Sequence, residues 1–483
     1  MEVKRLFIVL VILFALKFLY SIPEDVMKLE KQGEFTKAQE MLKGLLKKEG
    51  ISEAEKNELS YEIERLDRIR WDFDITTEEI MKQLKEDMPD VTKEDMQKWM
   101  QDGSLEYKII DGQTFFFGVA KRNLYRMNKE AKAKRDKAFE EMKKEIPKDK
   151  TSEKYMNHIK QVIEEGKKSD THYVCPKRFR VDYTLTVNPD VVPAGELIRC
   201  WLLFPREITK QKDMKVISAT PENYEIAPAD YLQRTIYFEQ PAAEKRKPTI
   251  FNVVYEFTGY GYYNPIDPAK IKPYDENGEL YKKYTAERKP HLTFTPELQK
   301  LAKEIVGDEK NPYLKAKKIW EWICKNITYT TAIEYSTIFN ISGYCYDNKR
   351  GDCGIQGMLF IVLCRISGVP AKWQSGWSLQ PEDENMHDWA EFYVEPYGWL
   401  LADPSKGYIE SENPEIKYFN FGNTDAYRLI ANDDYGMELF PPKKFFRSEP
   451  VDFQRGEVEW KGGNLYFGQW KWKIKIEEVE KGK

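Results

Sequence analysis

Cys353 follows Gly351-Asp352 and heads the run CGIQGMLFIVLCRIS, which closes at Gly368-Val369-Pro370. Asp352 is a natural N-cap and the Gly and Pro mark a stop, so the spacing predicts a helix over 353–367. Apolar residues cover almost every side of it, which predicts burial. A cysteine in a first helical turn sits among unpaired backbone N–H groups at the positive end of the dipole, a setting that favours a thiolate. The same N–H groups can donate to an oxyanion. Gly354 and Gly357 are expected to leave the helix bare near the sulfur, so that a substrate can approach. Cys364, further along the helix, has none of these features and reads as core.

A nucleophilic sulfur needs a group to exchange protons with. Of His158, His172, His291 and His387, only His387 has a suitable setting. HDWAEFYV predicts a strand over 387–394, EPYG a turn over 395–398, and GWLLAD a return strand to Asp403. Strict alternation puts His387, Trp389, Glu391 and Tyr393 on one face. A hairpin centred on Glu395 brings Asp403 beside His387, given about one residue of bulge, and an acid there would orient and charge-stabilise the imidazole. Asp388 is a poorer orienting acid, because a strand neighbour points to the opposite face. Cys353 as nucleophile, His387 as acid/base and Asp403 as orienting acid would perform acyl transfer through a thioester. Trp377 and Trp389, with Trp373 and Trp399, are candidates to wall a substrate groove. There is no C-x-x-C and no close pair of histidines, so neither a metal nor a cofactor is expected.

Several segments must position these residues. Over 23–71 the apolar pattern predicts a helical hairpin, its second helix entered through the capping box Ser52–Glu55. Two short helices and a hairpin turning at Asp111-Gly112 make 72–170, with its charged helices, a winged-helix-like module. From 171 to 262 the period becomes two, as in RFRVDYTLTV and TIFNVVYEF, which predicts a β-sandwich. Prolines and glycines crowd 263–289, an extended connector. Thr295-Pro296 and Asn311-Pro312 open two helices of the catalytic core, 290–410. Aromatic alternation at Leu465, Phe467, Trp470 and Trp472 suggests a C-terminal β extension, 411–483, packed on that core.

The 483 residues are 41% hydrophobic and 14% aromatic, enough for real cores. Lys plus Arg at 76 against Asp plus Glu at 80 gives a net charge of −4, without the basic excess that a nucleic-acid partner requires. The start, MEVKRLFIVLVILFALKFLYSIP, has basic residues and then an apolar run shorter than the roughly 20 residues a membrane span needs. It predicts an export signal over 1–22, cleaved or retained as an anchor, and a body working in the periplasm or outside the cell. Membrane contact would come only from an uncleaved segment. Six cysteines are too few for a disulfide scaffold; Cys175 and Cys200 are the pair an oxidising compartment could join.

GDCGIQGMLFIVLCRISGVPAKWQSGW, HDWAEFYV and GWLLADPS together resemble the transglutaminase-like superfamily, whose cysteine catalysis is papain-like. The resemblance covers about 290–405 and includes the preceding helices ELQKLAKEIV and KAKKIWEWICKNITY. It implies an α+β fold with a transglutaminase-like core, preceded here by the sandwich and the N-terminal helical modules. It also implies Cys353, His387 and Asp403 as the catalytic residues and a peptide or protein as substrate, attacked at a peptide bond or a glutamine carboxamide. Members often add a side-chain donor to the oxyanion hole; Tyr329, Tyr344 and Tyr346 are the candidates here. The competing expectation is a non-catalytic exported binding or scaffold protein on the same fold.

Overall fold

The computed structural model describes residues 22–145 and 152–479. The expected export segment, 1–22, lies almost wholly outside the described residues. Among the described residues, no helix is long and apolar enough to cross a membrane. The chain divides into two compact units, Met1–Asp149 with Thr328–Phe339, and Lys150–Ile327 with Asn340–Lys483.

The first unit is one body rather than two modules. Gly33, at φ +78°, breaks the first expected helix, so 23–71 holds three helices, Glu24–Lys31, Phe35–Leu46 and Glu53–Asp72. Their buried Val26, Phe35, Leu42 and Leu66 share one core with Trp99, Phe116 and Leu124 from the following helices and sheet. Capping boxes start three of this unit's helices, at Ser52–Glu55, Thr76–Glu79 and Thr92–Asp95. The hairpin turns at Asp111 and Gly112, both at positive φ as a type I′ turn requires. Residues 328–339 are bound into this unit. Asn123 Nδ2 donates to Thr331 O at 2.9 Å, the Thr331 N–H returns a bond to Asn123 Oδ1 at 2.9 Å, and Tyr61 OH donates to Ser336 O at 2.8 Å.

The second unit joins a β-sandwich to the core that holds Cys353, His387 and Asp403. One sheet of the sandwich contains Leu197–Leu203 and Thr235–Pro241; the other contains Tyr173–Val187, Thr249–Tyr262 and Gln211–Thr220. Among the described residues of the expected C-terminal β extension, only Arg428–Asn432 joins the sheet of the candidate core; the later strands do not. Glu457–Trp460 pairs with Leu197–Leu203, and Trp470–Val479 with Tyr173–Val187, so each completes a sheet of the sandwich. The helix Glu153–Gly166, expected in the charged module, packs Ile159, Val162 and Ile163 into this unit's core instead. The 263–289 stretch runs along the candidate core: Tyr274 OH donates to Tyr393 O at 2.5 Å, and the Lys272 N–H to Glu395 O at 3.0 Å. All six cysteines are free thiols, Cys175 and Cys200 included.

The helix Cys353–Ile366 packs on a four-stranded antiparallel sheet. Its strands lie in the order Gly398–Ala402, Asp383–Val394, Ala371–Gln380, Arg428–Asn432. Gly376 faces His387 across one ladder, and the opposite ladder is bulged between Ser375 and Gly376. A Cβ at Gly376 would lie 1.9 Å from Leu429 O, which is backbone and cannot swing aside. Gly376→Ala should therefore lower the unfolding free energy by about 1–3 kcal/mol, the usual cost of overpacking. Urea unfolding with an unchanged midpoint would contradict this account of the close approach.

Candidate active site

Cys353 opens its helix as expected, with Asp352 Oδ1 accepting the Ile355 N–H at 3.2 Å. Every residue from Cys353 to Arg365 is buried, Cys353 itself being 7% exposed. Its thiol donates to Asp388 Oδ2 at 3.4 Å. Burial, and then the carboxylates of Asp388 and Asp352, push this thiol well above its ordinary range. The expectation of a thiolate is thus corrected for the resting structure. The end of a helix offers about 0.3–1 kcal/mol at a surface, too little against loss of water and two like charges. The bare face at Gly357 also differs from expectation. A Cβ there would meet the Trp389 carbonyl carbon at 3.8 Å and the Trp373 ring at 4.0 Å, so this face lies against the sheet.

His387 and Asp403 meet. The ring Nε2 lies 2.7 Å from Asp403 Oδ2, and both residues are buried. The hairpin register pairs Ala390 with Ala402, so its continuation would set Asp403 opposite Trp389. The imidazole reaches diagonally across the ladder, which is the offset that sequence counting attributed to a bulge. Asp403 is 0% exposed, yet it is held ionised. Burial alone would push its carboxyl up; His387, Arg428 and Lys406 hold it far below the usual carboxylate range instead. Its Oδ1 accepts from Ser405 Oγ at 2.9 Å and from the Lys406 N–H at 3.2 Å. An ionised carboxylate only accepts, so Nε2 carries the ring proton and Nδ1 of the neutral imidazole is the basic nitrogen. Burial keeps the ring neutral by lowering its pKa, although the Asp403 charge works the other way.

Three neighbours escaped the sequence reading. Asp388 was set aside as an orienting acid, and it faces the sulfur instead. Arg428 Nη2 donates to Asp403 Oδ2 at 3.1 Å. Gln454 Nε2 donates to His387 O at 3.0 Å and to Asp388 Oδ1 at 2.8 Å, tying two consecutive strand residues to a later loop. The one available signal was Arg428 itself, a cation inside the apolar run AYRLIA; a buried arginine implies a buried carboxylate.

The groove and oxyanion candidates fare differently. Trp377 is 3% exposed and donates through Nε1 to Gln454 O at 3.1 Å; Trp389 is 0% exposed and donates to Gln374 Oε1 at 2.8 Å. Both are core residues rather than groove walls, because the strands carrying them are covered on both faces. Trp389 still touches the site, its ring centroid 5.7 Å from that of His387. Tyr344 and Tyr346 are half-buried on the helix Ile341–Asn348, with Lys349 Nζ 3.8 Å from the Tyr346 ring centroid. Tyr329 belongs to the first unit, where the Arg126 guanidinium lies 5.2 Å from its ring centroid. It is not in the unit that holds Cys353, His387 and Asp403. Among the described residues, no group of three or more His, Cys, Asp or Glu side chains is arranged to hold a metal ion.

Residues 299–404 match the profile of the transglutaminase-like superfamily. Two curated relatives are uncharacterized proteins: YebA of Bacillus subtilis, 25% identical over 22% of this chain and 17% of its own length, and a protein of Haemophilus influenzae, 22% identical over 36% and 55%. The chain therefore spans about a sixth of the length of the first relative and little more than half of the second. Among solved structures, a candidate cysteine protease from Cytophaga hutchinsonii has a TM-score of 0.43 and 17% identity, covering 64% of this chain and 93% of that one. The periplasmic domain of TgpA from Pseudomonas aeruginosa has a TM-score of 0.26 and 12% identity, covering 47% and 87%. Residues 299–404, the stretch that carries Cys353, His387 and Asp403, are a transglutaminase-like domain within an α+β chain.

Proposed function

We propose that the chain is a thiol acyl-transfer enzyme acting on a carbonyl of a peptide or protein, either a peptide bond or a glutamine carboxamide. One observation carries this reading. His387, whose Nε2 lies 2.7 Å from Asp403 Oδ2, is the strand neighbour of Asp388, whose carboxylate accepts the Cys353 thiol. These contacts support a reading in which Cys353 is the nucleophile, His387 the base and Asp403 the orienting acid.

The sulfur of Cys353 forms a bond to the carbonyl carbon while its proton passes to His387 Nδ1. The tetrahedral oxyanion collapses with loss of ammonia or an amine, which takes that proton from His387. A thioester remains. Water or a second amine then attacks it, giving hydrolysis or transamidation, and the thiol is restored. Because the resting thiol is neutral, His387 acts as general base during the attack rather than as a preformed imidazolium partner. Hydrolysis is the outcome proposed here, with the protein working outside the cytoplasm, as the N-terminal sequence suggests.

Alkylation tests the nucleophile without a known substrate. Iodoacetamide should label Cys353 at neutral pH ahead of the fully buried Cys364, and His387→Ala should slow that labelling at least about tenfold, within the range of general-base contributions. Equal and slow labelling of the two thiols would sink the enzymatic reading and favour a scaffold on this fold.

Asp388→Asn removes a charge that holds the thiol protonated while keeping the side chain's shape. It should speed labelling of Cys353 at pH 7, about tenfold for each unit by which the thiol pKa falls. A slower variant would show that the Asp388 charge does not set the thiol. Incubating a mixed peptide library with and without an added primary amine, read by mass spectrometry, should show cleaved or deamidated peptides in both samples. A mass gain confined to the amine-containing sample would instead make the enzyme a transamidase.

A further inference from the structure

Arg428 lies beyond the matched stretch 299–404, on the strand Arg428–Asn432 at the edge of the catalytic sheet. Its side chain is 3% exposed. Nη2 donates at 3.1 Å to Asp403 Oδ2, the same oxygen that takes the His387 ring proton at 2.7 Å. Nε donates at 3.2 Å to Asp425 Oδ2, which also accepts from Tyr155 OH at 3.1 Å. The guanidinium carbon sits 4.7 Å from the centroid of the Trp389 ring, which itself neighbours His387. The remaining nitrogen, Nη1, is buried and makes no hydrogen bond. The cation is thus fixed on three sides by groups that belong to the site or brace it.

We propose that Arg428 is a positioning residue of the candidate site: by sharing Asp403 Oδ2 with His387 it locks the acid in the ring plane and takes up part of its negative charge. The inference rests on the proposed function for its purpose, though not for its test. Without the arginine, one oxygen would present its full charge to the imidazole and draw a proton onto Nδ1, leaving the ring unable to accept one from the thiol. With it, Asp403 still selects the tautomer but does not over-stabilise the charged ring. The other charged or titratable groups around the pair are Lys406 from the turn after Asp403, Asp388 beside His387, Cys324 from the helix Pro312–Asn326, and Asp425 with Tyr155 behind the arginine. Lys406 also disfavours the charged ring, and more strongly than Arg428, but its side chain is tied to Asp383, whereas the Arg428 side chain bonds Asp403 directly.

NMR of protein carrying 13C-labelled histidine tests this in the full chain, with the His387 signal assigned by its loss in His387→Gln. Arg428→Gln should move the His387 titration up by about one pH unit, in the direction expected when a nearby cation is removed. Arg428→Lys, which keeps the charge, should restore it to within a few tenths of the original. If Arg428→Gln does not fold, the double variant with Asp425→Asn, which relieves the stranded carboxylate, is read in the same way. An unmoved titration in a variant that melts like the parent would overturn the proposal, as would an equal shift in Arg428→Lys. None of these readings depends on Cys353 reacting, so an inert thiol would end the proposed function and leave the role of Arg428 to be judged separately.

Discussion

Asp403 is an ionised carboxylate with no surface in water, and the local architecture answers to that fact. A charge so placed is tolerated only when its oxygens are filled by donors of adequate strength. One oxygen takes two bonds from its own turn, through Ser405 and Lys406; the other takes one from an imidazole and one from a guanidinium. Each donor fixes a piece of chain: the turn after the hairpin, the neighbouring strand, and a strand at the far edge of the sheet. Gly376 is bare because that edge strand passes so close. Satisfying one buried charge therefore also sets the tautomer of the base and the spacing of the sheet.

The sulfur lies under a different balance. Its helix start offers aligned N–H groups, but water is nearly gone and two carboxylates lie near. Such a thiol reacts slowly unless a base takes its proton, because only the thiolate reacts quickly. In the proposed mechanism that base is the His387 imidazole, acting at the moment of attack.

Much of the hairpin and helix could be read from the chain because their signals are local. Asp352 as cap, Gly368-Val369-Pro370 as stop and the alternation through His387 to Val394 act within a few residues of where they are written. The sandwich was readable for the same reason. What escaped the reading depends on contacts distant in sequence. Nothing near Asp388 says which helix its face will meet, and Gln454 touches His387 only because a loop after the four-stranded sheet folds back over it. The single core shared by residues 22–145 was hidden because each helical stripe there looks complete by itself. The sign of the Cys353 shift was missed because a dipole can be read from position, whereas desolvation is known only once the neighbours are in place.

The segment Thr328–Phe339 belongs to the first unit although the residues on both sides of it belong to the second. The backbone therefore passes between the two units three times, once near residue 149 and again at each end of this segment. Asn123 and Tyr61, from the N-terminal stretch, hold Thr331 and Ser336 of this later segment by hydrogen bonds. The first unit's fold is therefore written in two separate stretches of the chain, and neither stretch alone contains all of it.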